Sequence, residues 1–227
     1  NEKFKEISSN ILSKVVNSLL ISSNKIIINV LKISTSMLGN TLEIISIGKK
    51  LIPYFVNITP RQSFIKSFIK YPMLGAAQLV NYNAMKFETT SKKSNFAESV
   101  LEVFGDFVSA FSPESITYFV RDILESNINP LMCYSLVLSI FSNENNINNI
   151  KSDIYDTIIK HISKSNDELF TEQILAECIA KWIKFNLKYL NDILVTSNNI
   201  KCHCKCMIYA SLFSNVNFEN NTLVDMM

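Results

Sequence analysis

The chain has 227 residues, of which 48% are hydrophobic and 19% charged, and this balance argues against disorder over its whole length. A net charge of +2 at pH 7 gives no dedicated basic surface for nucleic acid. Four Gly and five Pro are too few for a Gly-rich cofactor loop or for the many turns of a β-sandwich, so long helices with short polar turns fit best.

Two amphipathic helices are predicted at the start of the chain. From Glu2 to Leu20 apolar residues recur at the helical period, and the stripe expected to face the core comprises Phe4, Ile7, Ile11, Val15 and Leu19, flanked by Leu12 and Val16. From Lys25 to Leu38 the β-branched residues leave a strand open. A helix is nevertheless the prediction, because the segment runs into Gly39, where a helix typically ends.

A proline-broken hinge follows these two helices. Asn40 with Glu43 forms a capping box that starts a third helix, and Pro53 breaks that helix. Thr59 is then the expected N-cap of a fourth helix, with Pro60 at its first position. The pattern predicts a helix-turn-helix corner.

The first extended polar loop, residues 88–94, comes after a further predicted helix over residues 73–87. We interpret the chain as one helical domain over residues 1–227. The loop offers a subdivision into residues 1–87 and 95–227.

The second half of the chain repeats the same start signals. Asn95 with Glu98 forms another capping box, and Ser112-Pro113 and Asn129-Pro130 combine an N-cap with a first-turn proline. The stripes predicted to be buried in the first two of these helices are Val100, Leu101, Phe104, Phe107, Val108, Phe111, Ile116, Phe119, Val120, Ile123 and Leu124. The third, residues 131–141, is apolar nearly all round, so we expect it to be covered on both sides.

The last part of the chain is predicted as three helices after a polar linker. The linker is residues 142–149, and helices are expected over 150–162, 169–195 and 200–213, with Asn186 dividing the second of them. Helix pairs of about 35 to 45 residues are typical of HEAT and armadillo repeats. The predicted fold is therefore all-α, with antiparallel helix hairpins stacked as an α-solenoid, and one irregular helical bundle is the alternative.

Three short blocks in the N-terminal half carry a family resemblance: Asn17, Leu19, Leu31 and Lys32; Gly48, Lys49, Leu51, Pro53, Tyr54, Ile58 and Pro60; and Asn95, Glu98, Val100, Glu102 and Phe107. In their order, although not in their spacing, they resemble the parkin co-regulated protein family, a small armadillo-like helical repeat. The resemblance covers residues 9–124, and the residues after Glu125 have no counterpart in it. It implies a cytoskeletal scaffold that bridges protofilaments at the ciliary doublet junction.

One stretch has the residue types of a metal site. Cys202, His203, Cys204 and Cys206 are candidate zinc ligands, and Cys202 and Cys206 would share a helical face at i and i+4. A second ligand pair is missing, because the remaining candidates are isolated in the sequence: Cys133, Cys178 and His161. We therefore predict that Cys204 packs inside a helical layer and that the chain holds no metal or cofactor.

Catalytic chemistry has little support in the sequence. A hydrolase or transferase site needs a nucleophile, a base and an orienting group, yet the chain has only His161 and His203. His161 lies on the polar side of an Ile-lined helix, which predicts a surface histidine. We therefore expect no enzymatic activity and no small-molecule substrate.

Trp182 has two interpretations. With Phe185 and Tyr189 it could form an exposed aromatic ridge for a partner, since Trp and Tyr dominate interface hot spots. The favoured interpretation is that Trp182 continues the core stripe of its helix, with Lys184 and Lys188 on the solvated side.

The cysteine count bears on the compartment. Five cysteines without framework spacing indicate reduced thiols in an intracellular, cytoplasmic protein, with a nuclear location left open. The run over residues 131–141 is shorter than the roughly 20 residues that span a bilayer. Because the chain starts at Asn1 without a Met or a leader pattern, we expect a fragment or a processed chain.

The sequence thus predicts a non-enzymatic scaffold that mediates protein–protein interaction, with tubulin or a ciliary complex as the partner that the resemblance implies. Two alternatives stay open. One is a nuclear transport or RNA-processing adaptor of the helical-repeat class, and the other is a metal-dependent protein that uses the segment from Cys202 to Cys206.

Overall fold

The computed structural model describes residues 2–18, 24–55, 95–163, 169–198, 205 and 208–212, and its regular elements within these ranges are helices, with no β-strand. The described part of the chain is thus all-α, as predicted. The α-helices are α1 (Glu2–Asn17), α2 (Asn24–Leu38), α3 (Leu42–Leu51), α4 (Asn95–Ser109), α5 (Pro113–Leu124), α6 (Pro130–Phe141), α7 (Glu144–Asn148), α8 (Tyr155–Ser163), α9 (Leu169–Lys184) and α10 (Leu190–Asn198). Short 3-10 turns cover Ile52–Phe55, Ser152–Ile154 and Leu187–Tyr189.

Several predicted elements lie outside the described residues. They are the corner at Thr59-Pro60, the helices expected over residues 60–69 and 73–87, the loop 88–94 and most of the helix expected over 200–213. Of the last, residues 208–212 are described and helical.

The proline start signals in the second half are confirmed. Both α5 and α6 begin at the proline, after Ser112 and Asn129 as N-caps. The Asn129 side chain accepts a hydrogen bond from the Leu131 N–H at 2.9 Å, which satisfies one of the orphan donors of the first turn. The end of α2 is confirmed as well, since Gly39 follows it at φ +56°, a left-handed conformation that glycine adopts without strain.

The start of α3 differs from the prediction by one residue. The N-cap is Thr41, not Asn40, because the Thr41 N–H donates to the Gly39 carbonyl at 3.0 Å and closes a tight turn before the helix begins at Leu42. Glu43 still interacts with its cap. The Thr41 side chain and the Glu43 backbone N–H stabilise the charged Glu43 carboxylate and so lower its pKa.

The polar linker predicted over residues 142–149 contains a short helix. Asn143 caps the short helix α7 by accepting a hydrogen bond from the Asn145 N–H at 3.0 Å. Asn146 is fully buried, and its amide donates to the Gly105 carbonyl of α4 at 3.0 Å. The following helix starts later than predicted, because Ser152–Ile154 form a 3-10 turn before α8.

The buried face of α1 is rotated from the centre of the predicted stripe to its Leu12 and Val16 flank. Its buried residues are Ser8, Leu12 and Val16, whereas Phe4, Ile7 and Ile11 are half-exposed. The rotation follows from tertiary packing, since α2 and α3 both lie against the Leu12 and Val16 side and the Tyr54 hydroxyl donates to the Val16 carbonyl at 2.8 Å. Leu19 lies outside the described residues.

The helices pack in two rows. In the first row α2 packs against α4, α4 against α6, and α6 against α9. In the second row α3 packs against α5, α5 against the Ser152–Ile154 turn that leads into α8, and α8 against α10. At the centre, residues 131–141 of α6 are all buried, which confirms the prediction of a helix covered on both sides.

Small residues let neighbouring helices approach closely at two points. A Cβ atom added to Gly48 of α3 would lie 3.0 Å from the Phe119 ring of α5. One added to Gly105 of α4 would lie 2.9 Å from the backbone oxygen of Ser139 in α6. The Ser139 hydroxyl donates across the second contact to the Leu101 carbonyl at 2.8 Å, so the approach of α4 and α6 is fixed by both shape and a hydrogen bond.

Candidate interaction surface

The predicted metal candidates Cys202, His203, Cys204 and Cys206 lie outside the described residues. Between them, Lys205 is described, and its ammonium lies 5.5 Å from the centroid of the Tyr209 ring. Across the described ranges, no group of three or more His, Cys, Asp and Glu side chains is placed to hold a metal ion. The same ranges contain no helix that is long and apolar enough to cross a membrane.

The two described cysteines pack as apolar side chains. Cys133 and Cys178 are buried on the packed helices α6 and α9, and their thiols donate to the carbonyls of Ile123 at 3.4 Å and of Tyr134 at 3.3 Å. Burial raises the pKa of the Cys133 thiol to about 12 and that of the Cys178 thiol well above its usual value. Since the thiolate is the reactive form, neither cysteine is an activated nucleophile.

We expect the folded protein to resist alkylation at these two positions. At pH 8, iodoacetamide should leave Cys133 and Cys178 unmodified, whereas in urea both should react completely, because unfolding restores an ordinary thiol pKa. Peptide mass spectrometry resolves each cysteine. Modification of either residue as fast in the native protein as in urea would contradict their burial.

His161 is less exposed than the sequence predicted. It is only partly exposed, and its Nδ1 lies 2.9 Å from the Tyr134 hydroxyl of α6, with the two rings edge to face. The polar side of α8 thus packs against a tyrosine, which the α8 sequence alone does not show. With Cys178 the pair lines an internal cavity of about 10 Å³, room for one water molecule, so this cluster has no space for a substrate.

Trp182 occupies the core, as favoured from the sequence. It is fully buried and lies in a stack with Tyr155 and Tyr189, whose ring centroids are 6.4 and 5.4 Å from its own. Burial and the nearby Asp192 carboxylate, which accepts a hydrogen bond from the hydroxyl, raise the pKa of Tyr155. The stack joins α8 to the segment between α9 and α10.

We call residues 184–188 the tip. The chain breaks here because Asn186 leaves the helical conformation, at φ −136° and ψ 46°, and its amide donates to the Trp182 carbonyl at 3.1 Å. Phe185 and Leu187 are left 43% and 53% exposed. The ammonium groups of Lys184 and Lys188 lie 5.7 and 4.8 Å from the ring centroids of Phe185 and Tyr189, so cations flank the exposed apolar residues.

A groove with a volume of about 380 Å³ adjoins the tip. It is lined by Pro113, Glu114, Asn148, Asn149, Ile150, Lys151, Phe185 and Asn186. Two bonds to Thr117 of α5 hold one wall, since its hydroxyl accepts from the Lys151 N–H at 2.9 Å and donates to the Asn149 carbonyl at 3.3 Å. The walls come from three chain segments, and these bonds fix two of them to each other.

A second contact between α5 and the groove wall lies one turn further along α5. The Arg121 guanidinium donates to the Asp153 carbonyl at 2.6 Å and lies 3.7 Å from the carboxylate of the same residue. It also covers the exposed ring of Tyr118. These contacts hold the turn after α7 against α5, and with it the groove wall.

Sequence reasoning found part of this surface. It placed Lys184 and Lys188 on a solvated side, and both are exposed. It missed the groove, because residues 113–114, 148–151 and 185–186 are distant in sequence and meet only through the packing of the second row. The asparagines at 148 and 149 were visible in the sequence, but they were interpreted as part of a linker.

Comparison with known proteins gives no relative: no protein-family model, no curated protein and no solved structure matches this chain.

Proposed function

We propose that the chain is a non-enzymatic helical-repeat scaffold that binds a partner protein through the groove and the tip. The observation that carries the proposal is the pair of exposed apolar side chains, Phe185 and Leu187, held beside a fixed groove and between two exposed lysines. Aromatic and apolar residues at the centre of a polar rim are the usual composition of an interface hot spot.

The two rows of helices support the repeat class of this proposal. In a HEAT or armadillo-like α-solenoid each helix pair stacks on the next, so a helix contacts its counterpart in the neighbouring pair. The pairs α2/α3, α4/α5, α6/α8 and α9/α10 follow this rule in the described residues, except that α5 contacts the Ser152–Ile154 turn that leads into α8. The groove lies in the second row, where α5, the turn after α7 and the tip meet.

The form of the groove favours a macromolecule over a small substrate. Pockets for small molecules are mostly enclosed and apolar. Here Glu114, Asn148 and Lys151 are exposed, and only Ile150 gives a buried apolar floor. Such a surface is suited to a partner that covers it from outside.

Replacing the apolar tip should remove the partner while the fold is kept. We expect Phe185→Asp/Leu187→Asp to lose, in proximity labelling from cells, a set of proteins that the wild-type chain labels. The matched control is Val195→Asp, which changes a side chain that is 63% exposed on α10 and should keep that set. Equal labelling by the tip variant and the wild type, at equal expression and melting temperature, would refute this surface.

The cytoskeletal version of the proposal rests on the family resemblance in the N-terminal half. It implies that the purified chain sediments with microtubules at low salt and that the tip variant does so less. If the chain stays in the supernatant at low salt, tubulin is not its partner. The scaffold proposal is then tested by the labelling experiment alone.

A further inference from the structure

The proposed function leaves the chemistry of the partner open, and the groove and tip constrain it. We propose that they bind an extended acidic segment of the partner, with one of its apolar side chains packed against Phe185 and Leu187. This inference rests on the proposed function, since it uses the same surface. It specifies that the ligand is acidic and extended, and that one of its apolar side chains packs against the tip.

The charge of the surface is the first argument. The groove and the tip together contain three lysines, Lys151, Lys184 and Lys188, and a single acidic residue, Glu114. None of the three lysines forms an ion pair with another described residue. By contrast, Lys49 and Arg121 on the same row are 2.7 and 3.7 Å from the carboxylates of Asp122 and Asp153. Lysines without an ion pair among the described residues are complementary to an acidic ligand.

The asparagines give the second argument. The side-chain N–H groups of Asn149 and Asn186 are held by the carbonyls of Asn145 at 2.8 Å and Trp182 at 3.1 Å, which orients both amides. Their side-chain oxygens accept no hydrogen bond from the described part of the chain. An amide oxygen held in place in this way can accept a backbone N–H, and an extended peptide has such groups unpaired along its length. A helix would present such groups only in its first turn.

The apolar anchor is the third argument. Phe185 belongs both to the groove lining and to the tip, so an apolar side chain of the ligand can cover it while the neighbouring backbone lies over Asn186. Lys184 and Lys188 then stand on either side of the anchor in sequence. An acidic residue before and after the apolar one would match this arrangement.

A nucleic acid would share the attraction to lysine and aromatic rings, but the surface favours a peptide. Tight nucleic-acid binding requires several phosphate contacts, whereas the groove and tip carry only these three lysines. Glu114 would repel a phosphate in the groove, while it can accept a backbone N–H of a peptide.

The test uses a short fluorescent peptide rich in Glu and Pro with one central Leu, titrated with the full chain and followed by anisotropy. We expect binding that weakens as salt rises, because exposed charges are screened beyond a Debye length of about 8 Å at physiological ionic strength. Lys184→Glu/Lys188→Glu should weaken it about tenfold, as two exposed ion pairs become repulsive. The same variant should gain affinity for a peptide with Lys in place of every Glu.

The control variant is Lys14→Glu/Lys32→Glu, which makes the same change in net charge at exposed positions of α1 and α2 and should leave the affinity unchanged. Equal loss in both variants, binding unaffected by Phe185→Asp, or tighter binding of an RNA oligonucleotide of the same charge would overturn the inference. If the tip variant loses its labelled partners but no acidic peptide binds, the proposed function stands and this inference fails. If the tip variant keeps its labelled partners and no acidic peptide binds, both the proposed function and this inference fail.

Discussion

Replacement of Phe104 by Ala should lower the free energy of unfolding by about 3 to 5 kcal/mol, the usual cost of truncating a buried phenylalanine. Phe104 is 1% exposed, and its ring lies 6.0 Å from Phe55 and Phe107 and 6.1 Å from Phe119, centroid to centroid. The cavity would thus open where α3, α4 and α5 meet. Urea denaturation followed by circular dichroism measures the effect.

The matched control for this prediction is Tyr118→Ala on α5. That ring is 54% exposed and contacts Arg121, so its removal should cost less than about 1 kcal/mol, as most surface substitutions do. A similar loss of stability in the two variants would mean that the aromatic cluster is not the centre of the core.

The second large effect is expected from the addition of one methyl group at Gly105. A Cβ there would lie 2.9 Å from the Ser139 backbone oxygen, and because a backbone atom cannot rotate away, α4 and α6 must separate. We expect Gly105→Ala to cost about 1 to 3 kcal/mol, despite the gain of about 1 kcal/mol in helix propensity when Ala replaces Gly. Gly105→Val should cost more.

Asp106→Ala provides the comparison for Gly105, since it alters the next residue of the same helix at an exposed position and should change the stability by about 0.5 kcal/mol or less. If Gly105→Ala were as stable as the wild type or more so, the close approach of the two helices in the first row would be disproved. Urea midpoints at constant slope measure the series.

Capping residues, prolines and apolar periodicity predicted the helix ends and buried faces that depend on neighbouring residues in the chain. The starts of α5 and α6 follow from a capping residue followed by proline, and the break at Asn186 follows from the end of the apolar period. The core stripe of α4 was equally readable, because its buried residues recur at the helical spacing.

The remaining features depend on residues far apart in the chain. Val16 is buried because α2, α3 and Tyr54 cover it, and the α1 sequence alone favours the Phe4 side. Asn146 is buried with its amide bonded to the carbonyl of Gly105, 41 residues earlier, a contact that the local sequence does not show. The groove arises in the same way, so its lysines and asparagines could be named from the sequence while their association could not.

The two rows have a consequence for the order in which the chain folds. α2 packs directly against α4 and α3 packs against α5, although residues 56–94 separate the members of each pair along the chain. Contacts between residues so far apart form only when a long loop closes, and the entropy lost on closure opposes them. We therefore expect the helices on either side of residues 56–94 to form their local contacts before they pack on each other.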